Sequence, residues 1–176
     1  IKAARQIKGE VLILGDGPER AYLEKKIAEY KLTNTRILGY MNPKEQVNFK
    51  EFYSRADVYV APSTWNEPLG LVILEAMAAK TPVISTRSGG VTSLIKDGYN
   101  GYLVRPRNAK EIAERVNSLL ENDELRRKMA DRSHRLVAER FTWEKLAEKF
   151  ERLYEKYSYT TREYLRLVKG IPVKKS

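Results

Sequence analysis

The sequence predicts an α/β domain whose parallel sheet is covered by helices on both faces. Three observations lead there. Short β-branched runs alternate with amphipathic stretches up to about residue 120, which is the signature of βαβ units. Several of those runs are apolar almost throughout, as strands buried on both faces must be. Beyond residue 108 one helical pattern follows another, so the sheet is complete by then.

The predicted strands cover residues 10–14, 35–40, 57–61, 82–86 and 101–104. Gly17-Pro18 opens the first helix, which carries Leu23 and Ile27 four residues apart on one face. Asn42-Pro43-Lys44-Glu45 supplies an N-cap, a proline at the first helical position and a capping-box glutamate. Val47, Phe49, Phe52 and Tyr53 follow at core spacing. A polar loop after Ala61 leads to a helix expected to start around Pro68. Helices over 108–122, 123–139 and 142–157 end the domain. Ile112, Val116 and Leu119 form one apolar stripe, and Trp143, Leu146, Phe150 and Leu153 form another, both read as core. The expected organisation is one domain over residues 1–157, then an extension over 158–176 with a helical piece at 162–168 and a loose basic end.

Composition narrows the function classes. A chain of 176 residues suffices for one core. With 42% hydrophobic and 32% charged residues it is too apolar for disorder and too charged to be membrane-embedded. No apolar run approaches the roughly 20 residues of a membrane span, and the first residues do not read as a secretory leader. A cytoplasmic location is therefore expected. The chain opens at Ile1 on what reads as the end of a helix, which suggests a fragment of a longer protein. It contains no cysteine, so disulfides, thiolate metal sites and cysteine nucleophiles are excluded.

The net charge of +10 suits phosphorylated ligands, nucleic acid or peripheral contact with an anionic membrane. Basic residues alternate with acidic ones, as in Glu24-Lys25-Lys26 and Glu139-Arg140, which is the pattern of solvated helix faces. The eleven tyrosines do not interleave with the basic residues as a base-stacking platform requires. Nucleic acid is not expected as a partner.

The chemistry concentrates in residues 61–78. A strand ends near Ala61 and the following loop-to-helix turn lies at the carboxyl edge of the sheet, where open α/β sheets bind ligands. The amides of Leu69, Gly70 and Leu71 are then first-turn groups without intrahelical partners, suited to phosphate or sugar oxygens. Glu67 stands at the mouth of this terminus and Glu75 eight residues later, about 12 Å along a continuous helix. Glu75 lies in an apolar stretch, where a buried carboxylate needs a partner. A vicinal diol is one, and a basic side chain or solvent exposure are the alternatives.

The spacing Glu67-x7-Glu75 within NEPLGLVILEAMAAKTPVIST resembles the signature of family 4 of the retaining glycosyltransferases. Leu12-Ile-Leu-Gly-Asp-Gly-Pro18, Ile37-Leu-Gly-Tyr-Met41, Ser88-Gly-Gly-Val91 and Asp97-Gly-Tyr-Asn-Gly-Tyr-Leu-Val104 resemble further segments of that family in the same order. The resemblance covers about residues 5–155. It implies a GT-B enzyme of two Rossmann-like domains, with this chain as the C-terminal, donor-binding one.

Carried over, Glu67 becomes the catalytic carboxylate that meets the donor sugar's hydroxyls, and Glu75 the acceptor for the ribose diol. Leu69, Gly70 and Leu71 lie by the sugar and phosphates, and Leu38, Gly39, Tyr40 and Met41 meet the base through main chain. Gly15, Gly17, Gly89 and Gly90 let backbone approach the donor, and Ser63 is counted among the donor-binding residues.

The resemblance further implies a UDP-, ADP- or GDP-hexose donor, no cofactor and no metal ion. The partner it implies is an acceptor-binding N-terminal domain, and by the same resemblance the Arg and Lys that neutralise the diphosphate come from a strand and helix start upstream of Ile1. Without these the isolated chain is expected to be inactive. Two departures from the family pattern stand out: Leu69 where Phe is usual, and Ser93 where Glu is frequent. A non-catalytic nucleotide-sugar-binding module is the alternative of a different class. The single His134 is read as a surface or capping residue.

Overall fold

All five expected strands form, and every strand pairing is parallel. In this computed structural model the described residues are 1–40, 49–66 and 68–169, with backbone alone for Phe49 and for residues 158–169. A 3-10 helix at Ala3–Gln6 leads into β1 (Val11–Leu14), α1 (Arg20–Glu29) and β2 (Thr35–Gly39). Then come α2 (Phe49–Arg55), β3 (Tyr59–Ala61), α3 (Leu71–Ala78), β4 (Val83–Thr86), α4 (Val91–Leu94) and β5 (Tyr102–Val104). Three helices follow: α5 (Ala109–Leu120), α6 (Asp123–Arg140) and α7 (Trp143–Lys169). The expected cap at Asn42-Pro43-Lys44-Glu45, with Val47 behind it, lies outside the described residues.

The strands are not one ladder. β1 pairs with β2, and β3–β4–β5 form a separate three-stranded sheet in that order. Burial differs accordingly. β4 and β5 are buried along their whole length, as expected of two-sided strands. β1 instead alternates, with Leu12 and Leu14 40% and 41% exposed. The expectation of two covered faces fails at β1 because α1, rich in charged side chains, buries none of its residues.

The core lies under β4 and β5, where Ile84, Tyr102 and Val104 pack with Val116 and Leu119 of α5 and Met129 of α6. Ile112 borders it, so the predicted α5 stripe faces inward. The two ladders are linked at their strand starts through the N-terminal segment. Asn117 of α5 accepts from the Lys8 amide at 2.9 Å and donates to the Gln6 carbonyl at 2.7 Å. Asn34, just before β2, donates to the carbonyls of Ala4 and Gly9, each at 3.1 Å.

At the start of α5 the Asn108 side chain accepts from the Glu111 amide at 3.1 Å, an N-cap. The Glu111 carboxylate, held below its usual range chiefly by the Arg105 amide, accepts in return from Asn108 Nδ2 at 3.0 Å. Asn108→Ala is expected to cost about 1 kcal/mol, the usual value of such a cap. A thermal melt showing no decrease would mean that the cap contributes nothing.

The chain separates into units 1–135 and 136–176. In the second, α7 continues as one helix from Trp143 to Lys169, passing the boundary expected at residue 157 and containing the expected helical piece at 162–168. Its apolar stripe does not behave as core. Trp143 is 81% exposed, Leu146 42%, and Phe150 and Leu153 49% each. Among the described residues of this unit, Phe150 stacks on Tyr154 at 6.4 Å between ring centroids.

Candidate functional site

α3 is built from Leu-Val-Ile-Leu-Glu-Ala-Met-Ala, mostly strong helix formers apart from the β-branched Val72 and Ile73, and its Ile73, Ala76 and Met77 are buried. It begins at Leu71 and not near Pro68. Gly70 takes φ 81° and ψ 75°, a left-handed conformation that a right-handed helix cannot contain, so Pro68 and Leu69 lie before the helix. The uncapped first turn therefore starts at Leu71, and no side chain caps it. The 12 Å estimate assumed a helix running back to residue 67 and does not apply. Glu67 itself lies outside the described residues.

Two loops meet at the carboxyl ends of the adjacent parallel strands β3 and β4. The Thr86 hydroxyl, in a buried residue, donates to the Ser63 carbonyl. Ser88 Oγ lies 2.7 Å from the Trp65 carbonyl oxygen and 3.3 Å from Asn66 Oδ1. Gly89 sits at φ 51°, and a Cβ on Gly90 would stand 1.7 Å from the Pro68 carbonyl oxygen. A cavity of about 130 Å³ opens here, lined among others by Ala61, Ser63, Gly70, Ile73, Thr86 and Val91. That is well below the roughly 300–1,000 Å³ of ligand pockets, so the cavity by itself does not enclose a ligand of that size.

Glu75 projects from α3 and is exposed, the solvent-facing alternative that the sequence left open. The neighbours face inward while position 75 falls on the outer side of the helix. Its partner is the Tyr53 hydroxyl, which donates to Oε2 at 3.1 Å. Tyr53 had been assigned to the core by its spacing. It is half-buried, with its ring edge-on to Tyr59 at 5.4 Å between centroids.

The other ladder carries a second group of expected residues. The Gly15 amide donates to the Gly39 carbonyl at 2.9 Å, and both glycines have positive φ, 118° and 75°. No atom lies within 4 Å of a Cβ built on Gly15 or Gly17, so this backbone faces open space. Asp16 between them is held below the usual carboxylate range, chiefly by the Gly17 amide and then by Arg20. Leu38 and Tyr40 are 38% and 72% exposed. Met41 lies outside the described residues.

Ser63, Leu69, Gly70, Leu71, Gly89 and Gly90 thus gather at the ends of β3 and β4, and Gly15, Gly17, Leu38, Gly39 and Tyr40 at the ends of β1 and β2. From sequence alone, Tyr53, Thr86 and Ser88 had no role in the site. Hydroxyls in otherwise apolar or glycine-rich segments were the available signal. His134 Nδ1 donates to the Ala78 carbonyl at 2.9 Å, ending α3 as a capping residue would. Among the described residues no cluster of three or more His, Asp or Glu could hold a metal ion, and no helix is long and apolar enough to cross a membrane.

The sequence matches the model of a family described as glycosyl transferases group 1 over residues 1–136. It is 32% identical over 154 residues to N-acetyl-alpha-D-glucosaminyl L-malate synthase of Bacillus anthracis, covering 87% of this chain and 39% of that protein. Sucrose-phosphate synthase from Thermosynechococcus elongatus superposes with a TM-score of 0.79 at 30% identity, over 90% of this chain and 41% of the other. Anabaena HepE in complex with UDP also gives 0.79, at 25% identity, over 88% and 43%. The chain spans less than half the length of these proteins. Its Rossmann-like parallel α/β fold is that of GT-B glycosyltransferase domains. With three quarters of its residues under one family model and the fold in agreement, this chain belongs to the glycosyl transferases group 1 family.

Proposed function

We propose that this chain is the donor-binding part of a retaining GT-B enzyme that transfers a hexose from a nucleoside-diphosphate sugar to an acceptor hydroxyl. The observation that carries the reading is the wall at the ends of β3 and β4. There Ser63, Gly70 and the uncapped start of α3 surround a cavity, and the same helix presents the exposed carboxylate of Glu75. Family membership and a UDP-bound structural relative support it.

In this reading the start of α3 faces the diphosphate, where oriented amides and the helix dipole stabilise the charge that grows on the leaving phosphate oxygen. Glu75 accepts from the ribose diol. Leu38, Gly39, Tyr40 and Met41 meet the base through main chain, Gly15 and Gly17 let backbone approach the donor, and Glu67 meets the sugar. Donor binding uses no metal ion. The acceptor site belongs to a second, N-terminal domain, so the isolated chain binds donor without transferring sugar.

The test is a calorimetric screen of this chain against UDP-, ADP- and GDP-hexoses, with and without EDTA. Binding of one base class, unaffected by chelation, is expected. No binding of any of them would refute the reading, and transfer by the isolated chain would refute the assignment of the acceptor site. Glu67→Gln is expected to lower affinity for the intact donor about tenfold, the worth of roughly one hydrogen bond, and to spare the free nucleoside diphosphate. Equal changes for both ligands would remove Glu67 from the sugar.

A further inference from the structure

We infer that Tyr53 is a positioning residue for Glu75, its hydroxyl holding one carboxylate oxygen so that the other is aimed at the ribose diol; this rests on the reading of Glu75 as the diol acceptor. An ionised carboxylate only accepts hydrogen bonds, so the 3.1 Å contact has one polarity, with the phenol donating to Oε2. The bond engages one of the two oxygens. A carboxylate steadied in this way keeps the geometry needed to accept from two adjacent hydroxyls.

The steadying matters because Glu75 is an exposed side chain with three rotatable bonds, on the solvent side of α3. Left alone it would sample several rotamers, and binding would have to restrict them. Tyr53, in contrast, is fixed from two further elements. Its ring meets Tyr59 of β3 edge-on at an interplanar angle of 77°, and its carbonyl accepts from the buried Thr81 hydroxyl on the turn into β4. The hydroxyl that reaches Glu75 is thus held by α2, β3 and the turn before β4 together. Burial, then the neighbouring Tyr59 and Glu75, push the phenol above its ordinary range, so it stays protonated and a donor at every physiological pH.

A tyrosine present only for packing would need its ring and not its oxygen, and Tyr53→Phe separates the two. The readout is the affinity ratio of a nucleoside diphosphate to its 2′,3′-dideoxy analogue, measured by calorimetry on this chain with the UDP, ADP and GDP pairs in parallel. The wild type should prefer the ribose form. Tyr53→Phe should shrink that preference about 3- to 10-fold while leaving the dideoxy affinity and the melting temperature near wild type. Glu75→Gln should abolish the preference.

If Glu75→Gln abolishes it and Tyr53→Phe leaves it intact, Tyr53 has no positioning role although the Glu75 reading survives. If Tyr53→Phe weakens both ligands equally, its role is structural and the inference is overturned. If Glu75→Gln keeps the full preference, or no pair binds, the diol reading falls and Tyr53 with it.

Discussion

Glu75→Gln is expected to weaken nucleoside diphosphate and intact donor alike, by roughly 10- to 150-fold. The figure follows from a charge-assisted hydrogen bond worth about 1.5–3 kcal/mol. Glutamine keeps the shape of the side chain and an oxygen that can still accept from Tyr53, so what is lost is the charge and one acceptor. Because Glu75 is exposed, the fold should be little affected. The check is calorimetry with three ligands: the nucleoside diphosphate, the sugar nucleotide, and a hexose phosphate that lacks ribose. An equal loss for the hexose phosphate would place the carboxylate somewhere other than the ribose.

Gly90→Ala is expected to damage fold and binding together. Gly90 has φ −69° and ψ −13°, which alanine adopts freely, so backbone conformation is not at issue. Space is. The added Cβ would fall 1.7 Å from the Pro68 carbonyl oxygen and 2.8 Å from its carbon, and a Cβ has no rotamer by which to escape. The loops after β3 and β4 must separate, and with them the wall formed by Ser63, Gly70, Thr86 and Val91. Overpacking of this severity costs about 3 kcal/mol, the upper end of its usual range, and so roughly 6–12 °C in Tm for a domain of this size. Gly17→Ala, with nothing within 4 Å of its Cβ, is the control for fold stability alone. A wild-type melt together with wild-type nucleotide affinity for Gly90→Ala would mean that the two loops do not touch.

How far the sequence alone leads depends on which physical signal each residue carries. The five strands were legible because alternating short apolar runs and helices permit few arrangements, and Ile112, Val116 and Leu119 were legible because helical periodicity selects one face. Periodicity has no means of saying whether a covering layer exists. The Trp143–Leu153 stripe therefore read as core and proved exposed. The start of α3 was misplaced by three residues because proline's preference for a first turn outweighed a glycine whose left-handed conformation sequence does not announce. Glu75 stood out as a carboxylate among apolar residues. Its partner did not, since Tyr53 is 22 positions away and reaches it through folding of two separate segments.

The break between the β1–β2 and β3–β4–β5 ladders gives the first unit a mechanical seam. Asn117 and Lys8 stitch it at the edge where the strands begin. At the opposite edge, where the strands end, the Gly15–Gly39 pair and the Gly70 turn stand on different sides of it. A molecule long enough to touch both would act as a rivet, loading the two plates as one. Its binding energy would then count toward the resistance of the whole unit to unfolding, because a ligand held only by the joined state stabilises that state in proportion to its occupancy. A fragment reaching one plate alone would bind there and leave the seam as open as before.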